Sequence, residues 1–149
     1  MQIYINLNMN LVEQVLSMKN MKSKFKNNFI FYKKINHLNI LEEKIPFKIK
    51  RIFFSKNLSK KSIIGEHANK KNREILICLN GGFQLSLETY NSKKKLNITS
   101  LSPAIIINPM TWLTMTNFKK NTVYIVFCSE KFNEKDYIRN YDSFKKNLI

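Results

Sequence analysis

An all-β domain of short strands, followed by one short carboxyl-terminal helix, is the fold class this sequence predicts. Three observations carry it. Phe83, Leu85 and Leu87 alternate with Gln84, Ser86 and Glu88, a period of two that marks a half-buried strand. Turn residues recur between runs of this kind. Helical spacing is confined to the last stretch, where Tyr137, Tyr141 and Phe144 recur on one helix face. Many short strands separated by turns resolve their edges by closing into a sandwich or barrel, and 149 residues are enough for one domain with a substantial core.

The elements follow in order. Residues 1–28 show little pattern and no clear turn chemistry. They are expected to form an amino-terminal extension, as an extra strand, a frayed arm or a consequence of start-codon choice, ahead of a single domain over 29–149. Strands are expected at Lys50 to Phe54, Glu74 to Leu79, Phe83 to Leu87, Leu96 to Leu101, Ala104 to Ile107, Trp112 to Thr116 and Thr122 to Cys128. Between the second and third lies Asn80-Gly81-Gly82, which predicts a hairpin with a type I′ turn, because that turn needs positive φ at both central residues. Near the end, Asn133 and Asp136 stand three apart, as an N-cap and its partner do. The helix they start would lay Tyr137, Tyr141 and Phe144 against the barrel.

Composition narrows the function classes. The formal net charge of +16 raises the question of a polyanionic partner. The joint excess of Lys, Asn and Ile is what an AT-rich coding sequence gives whatever the function, and the lysines are dispersed, mostly in predicted turns. They read as a solvated surface. No nucleic-acid-reading motif accompanies them, so no nucleic-acid partner is expected, although a diphosphate-bearing ligand would still be attracted. Cys78 and Cys128 sit in apolar runs and read as buried thiols in a reducing compartment. No apolar run approaches the roughly 20 residues that span a bilayer, and nothing at the amino terminus reads as a leader. A cytoplasmic protein with no membrane partner is the expectation.

The motif that carries chemistry is Gly65-Glu66-His67-Ala68-Asn69-Lys70, followed by Glu74 and Gly81. Its spacing resembles a cupin barrel motif with Asn69 where a second histidine is usual. A transition metal needs three or four converging N, O or S ligands, and the chain has 2 histidines, His37 and His67. No metal and no cofactor are expected. Three further segments narrow the resemblance: Ile45 to Phe54, Ile107 to Trp112 and Phe132 to Tyr141. Together the four resemble the metal-independent sugar-nucleotide 3,4-ketoisomerases, the cupins that act on dTDP-4-keto-6-deoxyglucose. The resemblance covers roughly Asn39 to Phe144. It implies a small cupin (jelly-roll) barrel, a nucleotide-sugar ligand, a homodimer, and a role in making unusual sugars for surface polysaccharide or glycoprotein.

A 3,4-keto isomerisation moves a proton between C3 and C4 through an enediol. It needs a base, an acid for the oxygens, and stabilisation of developing negative charge. The resembling enzymes carry Arg-Gly-x-His-Ala-His-Lys with a tyrosine-bearing strand upstream. Here Gly65, His67, Ala68 and Lys70 match. Ile64 replaces the arginine, Asn69 the second histidine, Phe53 and Phe54 occupy the tyrosine-bearing strand, and Leu113 stands where a histidine is common. His67 is the retained candidate base, since an imidazole titrates near neutrality; Asn69 can only hydrogen-bond. A barrel histidine with no catalytic role is the other reading of His67, and with it a non-catalytic nucleotide-sugar-binding or partner subunit. Glu74 is the alternative base. Arg51, Lys70, Arg73 and Trp112 are the candidate substrate-binding residues, Trp112 being placed near the barrel mouth by the resemblance. Alternation lets only one of Arg73 and Glu74 face inward. Arg73 goes with Ile75 and Ile77, Glu74 with Leu76 and Cys78, and since both faces are apolar the choice stays open.

Overall fold

The computed structural model of the chain describes residues 29–30, 33–35, 38–40 and 45–147. The expected extension over 1–28 and the histidine at 37 lie outside the described residues. Strands run at Phe29–Ile30 (β1), Lys33–Ile35 (β2), Leu38–Ile40 (β3), Arg51–Ser55 (β4), Ile64–Asn69 (β5), Glu74–Asn80 (β6), Gly82–Thr89 (β7), Ser92–Thr99 (β8), Ala104–Ile107 (β9), Trp112–Thr116 (β10), Val123–Cys128 (β11) and Tyr137–Ile138 (β12), and one helix at Tyr141–Lys146 (α1). Two five-stranded sheets form, in the orders β1-β9-β6-β11-β4 and β12-β5-β10-β7-β8, while β2 and β3 pair separately. The pairings are antiparallel. This is the expected all-β jelly-roll architecture.

The core lies between the two sheets. Leu76, Cys78, Tyr124 and Val126 come from one, and Phe83, Leu85, Leu87, Leu113 and Met115 from the other. The alternate residues of β6 are also buried, on the outer side, where Ile75, Ile77 and Ile106 pack with Ile30, Ile45 and Phe47. That second layer explains why β6 reads as apolar on both faces. A third cluster, Ala68, Ile138 and Phe144 with Met110 and Trp112, sits under α1.

Two local expectations are corrected. The Asn80-Gly81-Gly82 stretch does not close a hairpin: β6 and β7 belong to different sheets. Gly81 has φ +71, whereas Asn80 is not among the positive-φ residues a type I′ turn requires. Thr122 holds the crossing in place, its hydroxyl donating to Gly82 O at 2.9 Å and accepting from Gly82 N at 3.1 Å. The asparagine-glycine pair therefore signals a chain reversal, but each flanking strand finds better partners elsewhere. The next strand pair in the chain, β7 with β8, is a hairpin, and Lys93 to Lys95 lie on β8, an edge strand among the described residues, not in a turn. Lysines on an edge discourage pairing with another chain.

The carboxyl-terminal helix starts later than Asn133. Asn133 caps only a 3₁₀ turn at Glu134–Asp136. The Asp136 carboxylate accepts from the backbone N–H groups of Lys71 (2.8 Å) and Asn72 (3.1 Å), tying this segment to the loop after β5, and Tyr137–Ile138 then pairs with β5 as a strand. These tertiary bonds override local helical spacing. The helix begins after Asn140, whose Oδ1 accepts from Ser143 N at 2.8 Å, and it buries Phe144.

Candidate active site

The site is built on a bulge in β5. Leu113 pairs with His67 and Thr114 with Gly65, so Glu66 is an extra residue in the ladder. Gly65 sits at φ +96 and Glu66 at φ +52. A Cβ on Gly65 would lie 2.5 Å from Leu113 Cδ1 and 2.8 Å from Leu113 O, so this position is reserved for glycine by both conformation and space. The bulge also orients the imidazole. His67 Nδ1 lies 3.0 Å from Gly65 O, and a carbonyl can only accept, so Nδ1 carries the proton and donates. Nε2 is then left with a lone pair; it is buried and has no partner among the described residues. Burial lowers the His67 pKa from its ordinary value, helped by Arg139 and Arg51 and opposed by the Gly65 carbonyl and Glu134. A neutral imidazole with its free nitrogen presented is what a general base requires.

His67 faces a narrow cavity in the barrel, walled by Ile64, Leu113, Met115, Phe53, Val126 and Leu76, with Glu74 and Tyr137 as its other polar-tipped side chains besides Tyr124. The walls at Ile64 and Leu113 are apolar where the resembling enzymes place a cation and an imidazole. Glu74, not Arg73, turns inward. Its Oε1 accepts from Asn69 Nδ2 (3.3 Å) and Asn72 Nδ2 (3.0 Å). Desolvation raises its pKa against the opposing pull of Arg51 and the two amides. Asn69 is buried beside it, and its Oδ1 has no partner.

Beneath the cavity, Arg51 Nη2 donates to Cys128 Sγ at 3.2 Å and to the Tyr137 hydroxyl at 3.3 Å, while its Nε is buried without a partner. The Tyr137 ring lies 4.9 Å from that of His67. Of the other candidate substrate-binding residues, Lys70 is exposed and donates to Lys135 O at 2.9 Å. Arg73 points to the outer side, where it donates to Asn108 Oδ1 (3.3 Å) and Pro46 O (3.2 Å) and lies over Phe47. Trp112 faces away from the cavity and packs against Tyr141 and Phe144 at 5.2 and 5.4 Å. The structure thus gathers His67, Asn69, Glu74 and Arg51, and leaves Lys70, Arg73 and Trp112 outside. Tyr137 is the residue that sequence reasoning missed, having assigned it to a helical stripe; its place in the closing segment of the family resemblance was the available signal. Among the described residues, no three His, Cys, Asp or Glu side chains converge as metal ligands would.

A jelly-roll barrel with a bulge-mounted histidine facing its interior defines a protein of the small cupin class. Known proteins agree. The chain matches the FdtA family, described as WxcM-like, C-terminal, over residues 13–148, and it belongs to that family. It is similar to the TDP-4-oxo-6-deoxy-α-D-glucose-3,4-oxoisomerase of Aneurinibacillus thermoaerophilus, at 35% identity over 126 residues spanning 80% of this chain and 91% of that one. Among solved structures, it resembles a histidine-to-asparagine mutant of the 3,4-ketoisomerase QdtA from Thermoanaerobacterium thermosaccharolyticum in complex with TDP-4-keto-6-deoxyglucose, at 33% identity and a TM-score of 0.76, over 80% of this chain and 91% of that one. It also resembles WlaRA, the TDP-fucose-3,4-ketoisomerase of Campylobacter jejuni, at 30% identity and a TM-score of 0.73, over 82% and 93%.

Proposed function

We propose that the protein is a sugar-nucleotide 3,4-ketoisomerase acting on a TDP-4-keto-6-deoxyhexose, with His67 as the base. One observation carries the reading: His67 Nε2 is buried, unpartnered and turned into the barrel, with Nδ1 committed to Gly65 O. In the reaction, Nε2 takes the C3 proton, the C3–H electron pair forms the C3=C4 double bond, and charge passes to O4. Return of the proton at C4, with transfer of the O3 hydrogen to O4 so that the carbonyl moves to C3, completes the isomerisation. Asn69 accepts a hydrogen bond from a sugar hydroxyl through its free Oδ1. The basic surface attracts the diphosphate.

The test is to incubate the protein with TDP-4-keto-6-deoxyglucose in D₂O and follow C3 of the sugar by NMR. Exchange above the protein-free control that vanishes in His67→Ala is expected. Persistence in His67→Ala would transfer the role to Glu74. No exchange, with a TDP-induced thermal shift retained, would make the chain a binding protein. Asn69→His with Ile64→Arg should speed product formation, because together they restore an acid–base group and a cation.

We further propose a homodimer in the cytoplasm, serving deoxysugar synthesis for surface polysaccharide. Support for self-association is the uncovered apolar outer strip of Ile52, Phe54 and Leu79, exposed at 55%, 64% and 54%. Light scattering at a single-chain mass would overturn it. Among the described residues no helix is long and apolar enough to cross a membrane.

A further inference from the structure

We propose that Tyr137 is the oxygen-side acid–base of this site, carrying a proton between O3 and O4 while His67 carries one between C3 and C4. The inference rests on the ketoisomerase reading and assigns a residue that the reading leaves open. With Phe53 on the strand where the resembling enzymes carry a tyrosine, and Asn69 in place of the second imidazole, the chain lacks a titratable partner for the sugar oxygens at those positions. The fold supplies one from another strand. Tyr137 is the direct cross-strand partner of Asn69, and residues opposite one another in an antiparallel pair share a face. The phenol therefore enters the cavity beside the vacated imidazole position, with its ring 4.9 Å from that of His67.

The surroundings suit proton transfer at oxygen. Arg51 donates to the phenol oxygen at 3.3 Å. That contact uses an acceptor site on the oxygen and leaves its hydrogen free, with no acceptor for it among the described residues. The same guanidinium would face the phenolate that donation creates, and Arg139 lies over the ring at 4.5 Å. When His67 Nε2 removes the C3 proton, the electron pair of that bond forms C3=C4 and the C4 carbonyl pair moves onto O4. O4 takes the phenol hydrogen, giving the enediol and a phenolate paired with Arg51. The phenolate then removes the O3 hydrogen, the O3–H electron pair forms the C3 carbonyl, and the double-bond pair takes the proton from His67 at C4. Both residues return to their starting states, and nothing external is consumed.

Tyr137→Phe keeps the ring and its contact with His67 and removes only the hydroxyl. The expected result is a fall in turnover of TDP-4-keto-6-deoxyglucose by about 10²-fold or more, with the TDP-induced thermal shift unchanged. The ratio of C3 deuterium washout to product should rise above that of the wild type, since His67 still removes the C3 proton while oxygen transfer has lost its carrier. Arg51→Gln should raise the same ratio with a smaller loss of turnover, marking Arg51 as a positioning residue. Turnover within about threefold of wild type in Tyr137→Phe, or loss of turnover with an unchanged washout-to-product ratio, overturns this assignment and leaves the ketoisomerase reading standing. A wild type with neither washout nor turnover removes both.

Discussion

Glu74 and Glu88 are both buried carboxylates on barrel strands, yet their surroundings drive them in opposite directions. Glu88 meets Lys93 Nζ at 2.9 Å, Lys145 Nζ at 3.0 Å and the Tyr141 hydroxyl at 2.7 Å. Burial alone would raise its pKa, but these three partners outweigh it and hold the carboxyl at about 2. Glu74 has the amides of Asn69 and Asn72 as close donors and the Cys128 thiol at 4.0 Å, and burial drives its pKa upward. Around Glu88 the carboxylate oxygens are satisfied, and the result is a clamp fastening α1 to the barrel. Around Glu74, Arg51 Nε, His67 Nε2 and Asn69 Oδ1 are buried without partners. Buried polar atoms left unpaired cost stability, and the two regions differ in that respect.

The sharpest way to break this contrast is at the imidazole. His67→Ala is expected to lower turnover by about 10²- to 10⁴-fold while costing only about 1 kcal/mol by urea unfolding, since the Nδ1 bond to Gly65 O and the contact with Tyr137 are lost but Nε2 makes no bond among the described residues. In the parent protein, turnover should persist below the usual histidine range and fail only as pH falls through the lowered His67 value. Gly65→Ala comes next: positive φ and the contact with Leu113 together should cost roughly 2 kcal/mol or more by urea unfolding. Turnover should fall with it, since the bulge aims His67.

Glu88→Gln tests the other region. At pH 7 it should cost roughly 1 to 2 kcal/mol, a figure kept low because the two lysines are about half exposed, with no effect on turnover. The sign with pH is fixed. The folded-state pKa of Glu88 is depressed, so its contribution is present above the ordinary glutamate value and lost as pH falls toward about 2. Glu74 runs the opposite way: its contribution is fully present below its unfolded value and lost as pH rises through the raised folded one. Glu74→Gln should therefore flatten the decline of stability on the neutral side, the smallest of these effects, read from urea midpoints across a pH series.

Much of the architecture was legible in the sequence because it rests on period-two alternation, which survives folding wherever one face is buried. The strand at 112–116 follows from it residue for residue, while 104–107 is a continuous apolar run buried along its whole length. What alternation could not supply was partner choice. Asn80-Gly81 reads as a hairpin from local chemistry alone, and only the pairing of β6 with β11 and of β7 with β10 sends the chain between sheets. The facing of Glu74 was undecidable for a related reason: β6 is buried on both sides, so hydrophobicity marks no inside. At the site, His67, Asn69 and Glu74 were legible as residue types in a motif. Tyr137 was hidden because its placement depends on the Asp136 carboxylate gripping Lys71 and Asn72 from 64 or 65 residues away.

The extra residue at Glu66 also sets how this strand can change over time. Ile64 and His67 both look into the barrel although they are three positions apart, so the strand changes phase at the bulge, and every inward position after it depends on that single inserted unit. Loops can gain or lose residues with modest consequence. Removing Glu66 would leave Gly65 opposite Thr114 and His67 opposite Leu113 as an unbroken ladder, whereas drawing Glu66 into the ladder as a paired residue would turn the imidazole to the outer side and bring Ala68 inward, exchanging the lining of the cavity for the packing under α1 in one step. The bulged conformation is therefore as much a part of the chemistry as the histidine itself, and it is held by a glycine that no other residue can replace without collision.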